Sequence, residues 1–180
     1  MNPKRKYIKR IVKAENPEVL VISSFPPREC GIATYTADLV KSLSNQFDTT
    51  FEFKICPLES EAEVHNYDFD TEFVLNVDES DSFTNLENSI NNNSKIGLVV
   101  IQHEFGFFEN CHEKLVAFIK GIQVPVAVVF HTVLPAPDES KRNQVMEIAN
   151  EVQAILVMTK TSKKILIADY SIPESLVTVI

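Results

Sequence analysis

The chain has 180 residues, 44% of them hydrophobic, and a formal net charge of −8 at pH 7. This length and apolar content predict one globular α/β domain with its own core rather than a disordered chain. The negative charge argues against a nucleic-acid partner, because phosphate binding depends on clustered Lys and Arg. Solubility is the simpler explanation of that charge.

Residues 1–17 form a basic amino-terminal extension. Its apolar residues Tyr7, Ile8, Ile11 and Val12 are interleaved with basic ones, which are Lys4, Arg5, Lys6, Lys9, Arg10 and Lys13. Two interpretations stay open: a solvated tail, which we favour, and a contact with an anionic membrane surface. No apolar segment or cleavage site follows, so this is not a signal peptide. No apolar run approaches the roughly 18 residues that a membrane span needs.

The three cysteines, Cys30, Cys56 and Cys111, are odd in number and scattered. This spacing indicates neither a disulfide framework nor a zinc site. A reducing cytoplasm is therefore the expected compartment, with a peripheral position at the inner membrane face if the basic extension binds lipid.

Apolar runs alternate with helical patterns along residues 18–180. A run such as VLVIS at 19–23 is typical of a strand buried on both faces of a parallel sheet. The predicted strands are 19–23, 51–55, a weaker 73–77, 96–101, 124–130, 154–158 and 177–180. The predicted helices are 32–47, 82–90, 111–122, 141–152 and 160–170, and 57–70 is a predicted surface connection. This order predicts right-handed crossovers and a doubly wound, mostly parallel, Rossmann-like sheet.

Three predicted loops follow carboxyl ends of strands, where ligands bind in such sheets. The first is FPPRECGIAT at 25–34, in which Gly31 precedes a helix amino terminus that favours phosphate. Thr34 could donate its hydroxyl, and Arg28 could pair with a phosphate or carboxylate. A turn glycine and a solvated arginine are the alternatives. Neither GxGxxG nor a P-loop is present, which disfavours redox cofactors and ATPases.

The second loop is QHEFGFF at 102–108. His103 and Glu104 are adjacent, so on an extended chain their side chains point to opposite sides. Glu104 could bind substrate hydroxyls or act as a base, and a structural ion pair or cap is the alternative.

The third loop is HTVLPAP at 131–137, where His131 and Thr132 lie at the sheet edge and suit hydrogen bonding to a ligand. A structural histidine is the alternative. We expect His65 and His112 at the surface. No triad, metal cluster or paired catalytic carboxylates can be assembled, so these patterns alone predict a ligand-binding α/β domain.

Taken together, the three loops resemble a known family. FPPRECGIATYTADLV is similar to the first loop and helix of retaining glycosyltransferases of family 4, also called group 1, which have the two-domain B-type fold. QHEFGFF and HTVLP fall where a bacterial branch of that family has similar segments. The resemblance extends from Val19 to Ile180 and implies the amino-terminal, acceptor-side domain.

The resemblance implies an enzyme that transfers a sugar with retention, mannosyl and glucosyl being the candidates. The donor would be a nucleoside-diphosphate sugar and the acceptor a glycan, lipid or small molecule, with no cofactor and no essential metal. It implies donor contacts from Cys30, Gly31, Ile32, Thr34, Thr132 and the catalytic His131. It implies acceptor contacts from Arg28, Gln102, His103 and Glu104. Many members have a second glycine where this chain has Cys30.

The predicted last strand stops at Ile180, which we take as the point where a second, donor-binding domain would follow. A basic pair and an acidic motif of that domain assist catalysis in the family, so residues 1–180 alone are expected to be inactive. An edge strand that ends there is the alternative. A different functional class also stays open, a non-catalytic ligand-binding or interaction module with the same fold.

Overall fold

The computed structural model describes residues 16–47, 49–69 and 71–180, so the basic extension lies outside it except for its last two residues. The strands are β1 (Glu18–Ser23), β2 (Glu52–Glu59), β3 (Leu75–Asn76), β4 (Ile96–His103), β5 (Val126–Phe130), β6 (Ala154–Val157) and β7 (Val177–Val179). The α-helices are α1 (Gly31–Phe47), α2 (Ser82–Asn92), α3 (His112–Gly121), α4 (Glu139–Glu151) and α5 (Lys160–Tyr170). Short 3-10 helices span Phe105–Phe107 and Glu174–Leu176.

The strands form one sheet in the order β3-β2-β1-β4-β5-β6-β7, and all of its pairings are parallel. The predicted doubly wound α/β fold is therefore confirmed. The chain moves outward in one direction from β1 to β3 and in the other from β4 to β7. The switch point lies between β1 and β4, and in such sheets a crevice opens there at the carboxyl ends of the strands.

Right-handed crossovers place α1 on one face of the sheet and α2 to α5 on the other. The four helices of the second face pack side by side in chain order. The main core lies between them and the sheet, and its largest fully buried side chains include Phe108, Phe118, Phe130 and Tyr170. Strand β5 is buried along its whole length, as its continuous apolar sequence predicts.

Local capping fixes where α4 begins and where α5 begins and ends. The Asp138 carboxylate accepts a hydrogen bond from the Lys141 N–H at 2.7 Å, so α4 begins before the predicted residue 141. The Thr159 hydroxyl accepts from the Ser162 N–H at 2.9 Å and starts α5. Ser171, at φ 60°, ends α5 in the left-handed conformation. The bounds of α5 match the prediction.

Two strands continue past their predicted ends. β2 runs to Glu59 rather than stopping at residue 55, because Cys56, Pro57 and Leu58 pair with neighbouring strands and, unlike the residues before them, are buried. β4 runs to His103, so Gln102 and His103 belong to a strand rather than to the predicted loop, since both pair with β5. β3 is shorter than predicted.

The two histidines predicted at the surface are only partly exposed. The His112 side chain is only 12% exposed, and its Nε2 lies 2.8 Å from a carboxylate oxygen of Glu147. His65 is half-buried and lies edge-on to Tyr67, with ring centroids 6.3 Å apart. Within the described ranges, no helix is both long enough and apolar enough to cross a membrane.

Candidate functional site

The structure brings together the loops that follow β1, β4 and β5. Gln102, Glu104, His131 and Thr132 contact one another across β4 and β5, and Tyr35 of α1 reaches the same group. We call these five residues the His131 cluster. It lies at the carboxyl edge of the sheet beside the switch point, because parallel strands end at a common edge.

His131 is the first residue after β5, and its side chain is partly buried. Its Nε2 lies 2.7 Å from Oε1 of Gln102, and its backbone N–H donates to the His103 carbonyl at 3.1 Å. The Tyr35 ring meets the imidazole edge-on, with centroids 5.1 Å apart. Burial lowers the pKa of His131, against the opposite effect of the nearby Glu104 carboxylate. The neutral imidazole is thus the favoured form.

Glu104 joins two loops through both of its carboxylate oxygens. Oε2 accepts a hydrogen bond from the Thr132 hydroxyl at 2.5 Å, and Oε1 accepts from the Phe105 N–H at 3.1 Å. The second contact caps the short 3-10 helix. The structural cap foreseen as the alternative is therefore present, while acceptor binding by Glu104 stays a prediction.

His103 points to the opposite side of β4 from Gln102 and is 3% exposed. Its ring stacks on Phe108 at 5.5 Å and meets Phe130 at 4.8 Å. This burial lowers the pKa of His103 to about 3, so the ring is neutral near pH 7. Its Nδ1 is buried and has no hydrogen-bond partner among the described residues. Acceptor binding by His103 stays a prediction.

Gln102 is fully buried, and its amide Nε2 has no hydrogen-bond partner in the part of the chain that the structure describes. A buried polar donor without a partner costs about 1–3 kcal/mol of stability. Its neighbours in β4 are mostly apolar, and an apolar side chain here would avoid that cost. The hydrogen bond that this glutamine does make is the one between its Oε1 and Nε2 of His131.

The loop after β1 is held by contacts within itself and to α1. The Ser23 hydroxyl lies 2.8 Å from that of Thr36, and the Cys30 sulfur accepts a hydrogen bond from the Ala33 N–H at 3.3 Å. The Cys30 carbonyl accepts from the Thr34 N–H at 3.2 Å. Cys30 thus accepts hydrogen bonds from two backbone amides of the first turn of α1. The Pro26–Pro27 peptide bond, earlier in the same loop, is cis.

Gly31 is the first residue of α1, not the residue before it, and it is exposed. Nothing lies within 4 Å of where a β-carbon would be, and its φ is not positive. Neither a tight turn nor a close neighbour in the protein requires glycine here. The backbone of this turn is therefore open to approach from solvent.

Arg28 is held by two residues that the sequence analysis missed. Its guanidinium forms an ion pair with Glu63 at 2.5 Å and lies 5.1 Å from the centroid of the Phe107 ring. The predicted surface connection at 57–70 thus ends against the first loop, where Phe69 also packs on Phe25 with centroids 5.3 Å apart. The aromatic residues of that connection were the one available signal of this packing.

The loop after β5 is fastened to the end of α5. The buried Tyr170 donates its hydroxyl to the Leu134 carbonyl at 2.9 Å, and the Asp169 carboxylate accepts from the Ala136 N–H at the same distance. Ala136 has a positive φ of 45°. In the described residues, no group of three or more His, Cys, Asp or Glu side chains could hold a metal ion.

No protein-family model matches the sequence, and no curated protein matches it. Solved structures do resemble the fold. One is an α-glucosyltransferase in complex with UDP and a 13-mer DNA containing an HMU base; the TM-score is 0.57 at 11% identity, covering 92% of this chain and 42% of that one. Another is an α-glucosyltransferase in complex with UDP and a 13-mer DNA containing a central A:G mismatch; the TM-score is 0.50 at 10% identity, covering 79% and 37%.

The chain thus spans less than half the length of these solved proteins. Its fold is a Rossmann-like α/β domain with a seven-stranded, all-parallel sheet. It matches one half of a B-type glycosyltransferase.

Proposed function

We propose that the chain is the amino-terminal, acceptor-side domain of a retaining glycosyltransferase of family 4. The observation that carries this proposal is the His131 cluster, a polar group with a neutral imidazole at the carboxyl edge beside the switch point. The likeness of the fold to one half of an α-glucosyltransferase supports it. The resemblance of the three loops to that family supports the assignment to family 4.

The donor phosphates would bind at the first turn of α1. Cys30 occupies the N–H groups of Ala33 and Thr34, whereas no hydrogen bond from another described residue uses those of Gly31 and Ile32. Free N–H groups at a helix amino terminus favour an anion. The open space at Gly31 would let a phosphate reach the backbone. The exposed Thr34 hydroxyl lies in the same turn.

The sugar would lie between this turn and the His131 cluster. His131 is the catalytic residue of the proposal, because it would contact the transferred sugar, and Thr132 would lie beside it. A retaining transfer breaks the bond from the anomeric carbon to the diphosphate and forms a bond from that carbon to the acceptor oxygen. The nucleoside diphosphate leaves with the electron pair, and the acceptor hydroxyl passes its proton to the departing diphosphate.

The acceptor would approach along the Arg28 side of the crevice. The ion pair with Glu63 and the ring of Phe107 fix the direction of the guanidinium, which suits an acceptor that carries an anionic or hydroxyl group. Gln102 and Glu104 already bond to His131 and Thr132, so they would act on the ligands mainly through those two residues.

A second Rossmann-like domain would supply most of the donor site. The resemblance to family 4 places a basic pair and an acidic motif there. UDP, present in both solved α-glucosyltransferases, is the first candidate for the donor nucleotide. Glucosyl and mannosyl remain the candidate sugars.

The test is a transfer assay with the longest natural form of the protein and a panel of UDP- and GDP-sugars. We expect transfer from one donor and loss of at least 100-fold in His131→Ala, because general acid–base and orienting groups typically contribute that much. His112→Ala, which removes a histidine bonded to Glu147, is the matched control and should keep its activity. Full transfer by His131→Ala would overturn the proposal and favour the non-catalytic binding module.

A further inference from the structure

We propose that Gln102 is a positioning residue that holds His131 as the neutral Nε2–H imidazole and so leaves Nδ1 to accept a hydrogen bond from a sugar hydroxyl. The hydroxyl half of this inference rests on the proposed function. The Gln102–His131 half does not, since it concerns only two side chains of the domain.

The orientation of the Gln102 amide determines where the proton lies. Its Oε1 faces Nε2 of His131 at 2.7 Å, and because an amide oxygen can only accept, this orientation places the hydrogen on the imidazole nitrogen. A neutral imidazole has one N–H and one acceptor nitrogen. With Nε2–H used by Gln102, the remaining nitrogen is the acceptor Nδ1, and no hydrogen bond to it is found among the described residues.

The sheet holds both partners in place. Gln102 pairs with Val129 and His103 with Phe130 across β4 and β5, and the His131 N–H continues this ladder to the His103 carbonyl. Gln102 is fully buried, which restricts its amide. The contact is therefore a product of rigid elements rather than of a mobile loop.

Three titratable groups surround His131, and none of them bonds to its ring in the described structure. Tyr35 of α1 lies edge-on, Glu104 after β4 bonds to Thr132 and Phe105, and His103 faces the other side of β4. A carboxylate bonded to the imidazole would favour the charged form. The neutral amide of Gln102 fixes the orientation of the imidazole ring without favouring its charged form.

This arrangement determines whether the ligand atom at Nδ1 of His131 must donate or accept a hydrogen bond. An imidazolium would only donate and would suit a phosphate oxygen, whereas a free Nδ1 lone pair requires a donor such as a sugar hydroxyl. The unpartnered Nε2 of Gln102 is the cost of the arrangement. An apolar residue in its place would stabilise the fold but would leave the ring without a fixed direction.

The first experiment measures the protonation of His131 in the 15N-labelled chain by long-range 1H–15N correlation spectra, with His131→Ala for assignment. We expect the Nε2–H form in the wild type. Gln102→Glu places a carboxylate against Nε2 and should raise the pKa of His131 by about 1–3 units. Gln46→Glu, the same charge change on an exposed residue near the far end of α1, should leave the pKa unchanged.

The second variant, Gln102→Leu, separates positioning from structural support. If Gln102 is a positioning residue, Gln102→Leu should populate both neutral forms of His131, Nδ1–H and Nε2–H, and should melt at the same or a higher temperature than the wild type. If Gln102 is a structural residue, the variant should melt at a lower temperature. In the longest natural form of the protein, Gln102→Leu should weaken UDP-glucose binding about tenfold relative to UDP, the typical effect of one neutral hydrogen bond. If the donor panel identifies another nucleotide-sugar as the donor, that nucleotide-sugar and its nucleoside diphosphate replace UDP-glucose and UDP in this comparison.

An Nδ1–H wild type, or an unchanged pKa of His131 in Gln102→Glu, would overturn the inference. Should Gln102→Leu fail to fold, the pKa of Gln102→Glu decides alone. The two proposals can fail separately, because the spectra require no sugar transfer. A confirmed Nε2–H form in the chain, together with no transfer by the longest natural form of the protein, would overturn the proposed function and leave the role of Gln102 in place.

Discussion

The two walls at the carboxyl edge beside the switch point are built differently. On the β4–β5 wall, Gln102 and Glu104 bond to His131 and Thr132, so its polar groups are arranged before any ligand arrives. On the α1 wall, Cys30 satisfies part of the first turn, and the backbone at Gly31 stays open. Preorganised groups suit a fixed sugar orientation, and free N–H groups suit a mobile, charged phosphate.

The largest expected effect is on the histidine beneath the β4–β5 wall. The folded-state pKa of His103 is about 3, and the unfolded-state pKa is about 6.5. Between these values the unfolded chain binds the proton and the folded protein does not, so stability falls as the pH drops. We expect a loss approaching 1.4 kcal/mol per pH unit in the middle of this window.

Urea unfolding at several pH values measures this slope. His103→Phe, which fills the site with an apolar ring, should reduce the slope between pH 6.5 and the pH of acid unfolding, while His112→Phe controls for a partly buried histidine elsewhere. An unchanged slope in His103→Phe would show that other groups cause the acid sensitivity.

Glu104 comes next in expected magnitude. Glu104→Ala removes the partners of both Thr132 and the Phe105 N–H, and we expect a loss of about 1–3 kcal/mol in unfolding free energy. Glu104→Gln can still accept from Phe105 and donate to the Thr132 hydroxyl, so its loss should be smaller. Chemical unfolding of the two variants measures the difference, and equal losses would argue that the charge matters rather than the hydrogen bonds.

The sequence predicted many of the strands and helices that hold the two walls in place. Buried runs such as β1 and β5 and the capped helix α5 were found because their patterns are local. The ends of β2 and β4 were missed because Pro57 and Gln102 are atypical of buried strands. Only their pairing with neighbouring strands shows that these residues belong to β2 and β4.

The candidate site was predicted as residues but not as contacts. His131, Gln102 and Glu104 were named, yet their bonds join residues far apart in the chain, which no single-sequence periodicity encodes. The contact of Glu63 with Arg28 was missed for the same reason, because it depends on how the 60–69 connection folds back.

Gly31 tests the open wall. Gly31→Ala should leave stability unchanged or raise it by about 0.4–1 kcal/mol, because the space is free and alanine restricts the unfolded chain. On the proposed function, Gly31→Leu in the longest natural form of the protein should raise the donor KM without lowering the melting temperature. A donor KM equal to that of the wild type in Gly31→Leu would show that the phosphates bind elsewhere.

The smallest effect is expected from Glu63. Its side chain is 47% exposed, and an ion pair that open to water contributes about 0–1 kcal/mol. Glu63→Gln should therefore barely change stability but should raise the acceptor KM, because Arg28 loses the group that orients it. Glu61→Gln, at a nearby exposed position, is the control. Equal acceptor KM values in both variants would remove Arg28 from the acceptor site.

Through its hydrogen bond to Leu134, Tyr170 affects the candidate site although it is not one of the proposed ligand contacts. It fastens the loop that carries His131 to the last turn of a helix at the far end of the chain. In a random mutagenesis screen for lost activity, we expect position 170 to be recovered alongside position 131. On the proposed function, Tyr170→Phe, which keeps the buried ring and removes only this hydrogen bond, would still bind phosphate at α1 and would lose the alignment of the sugar.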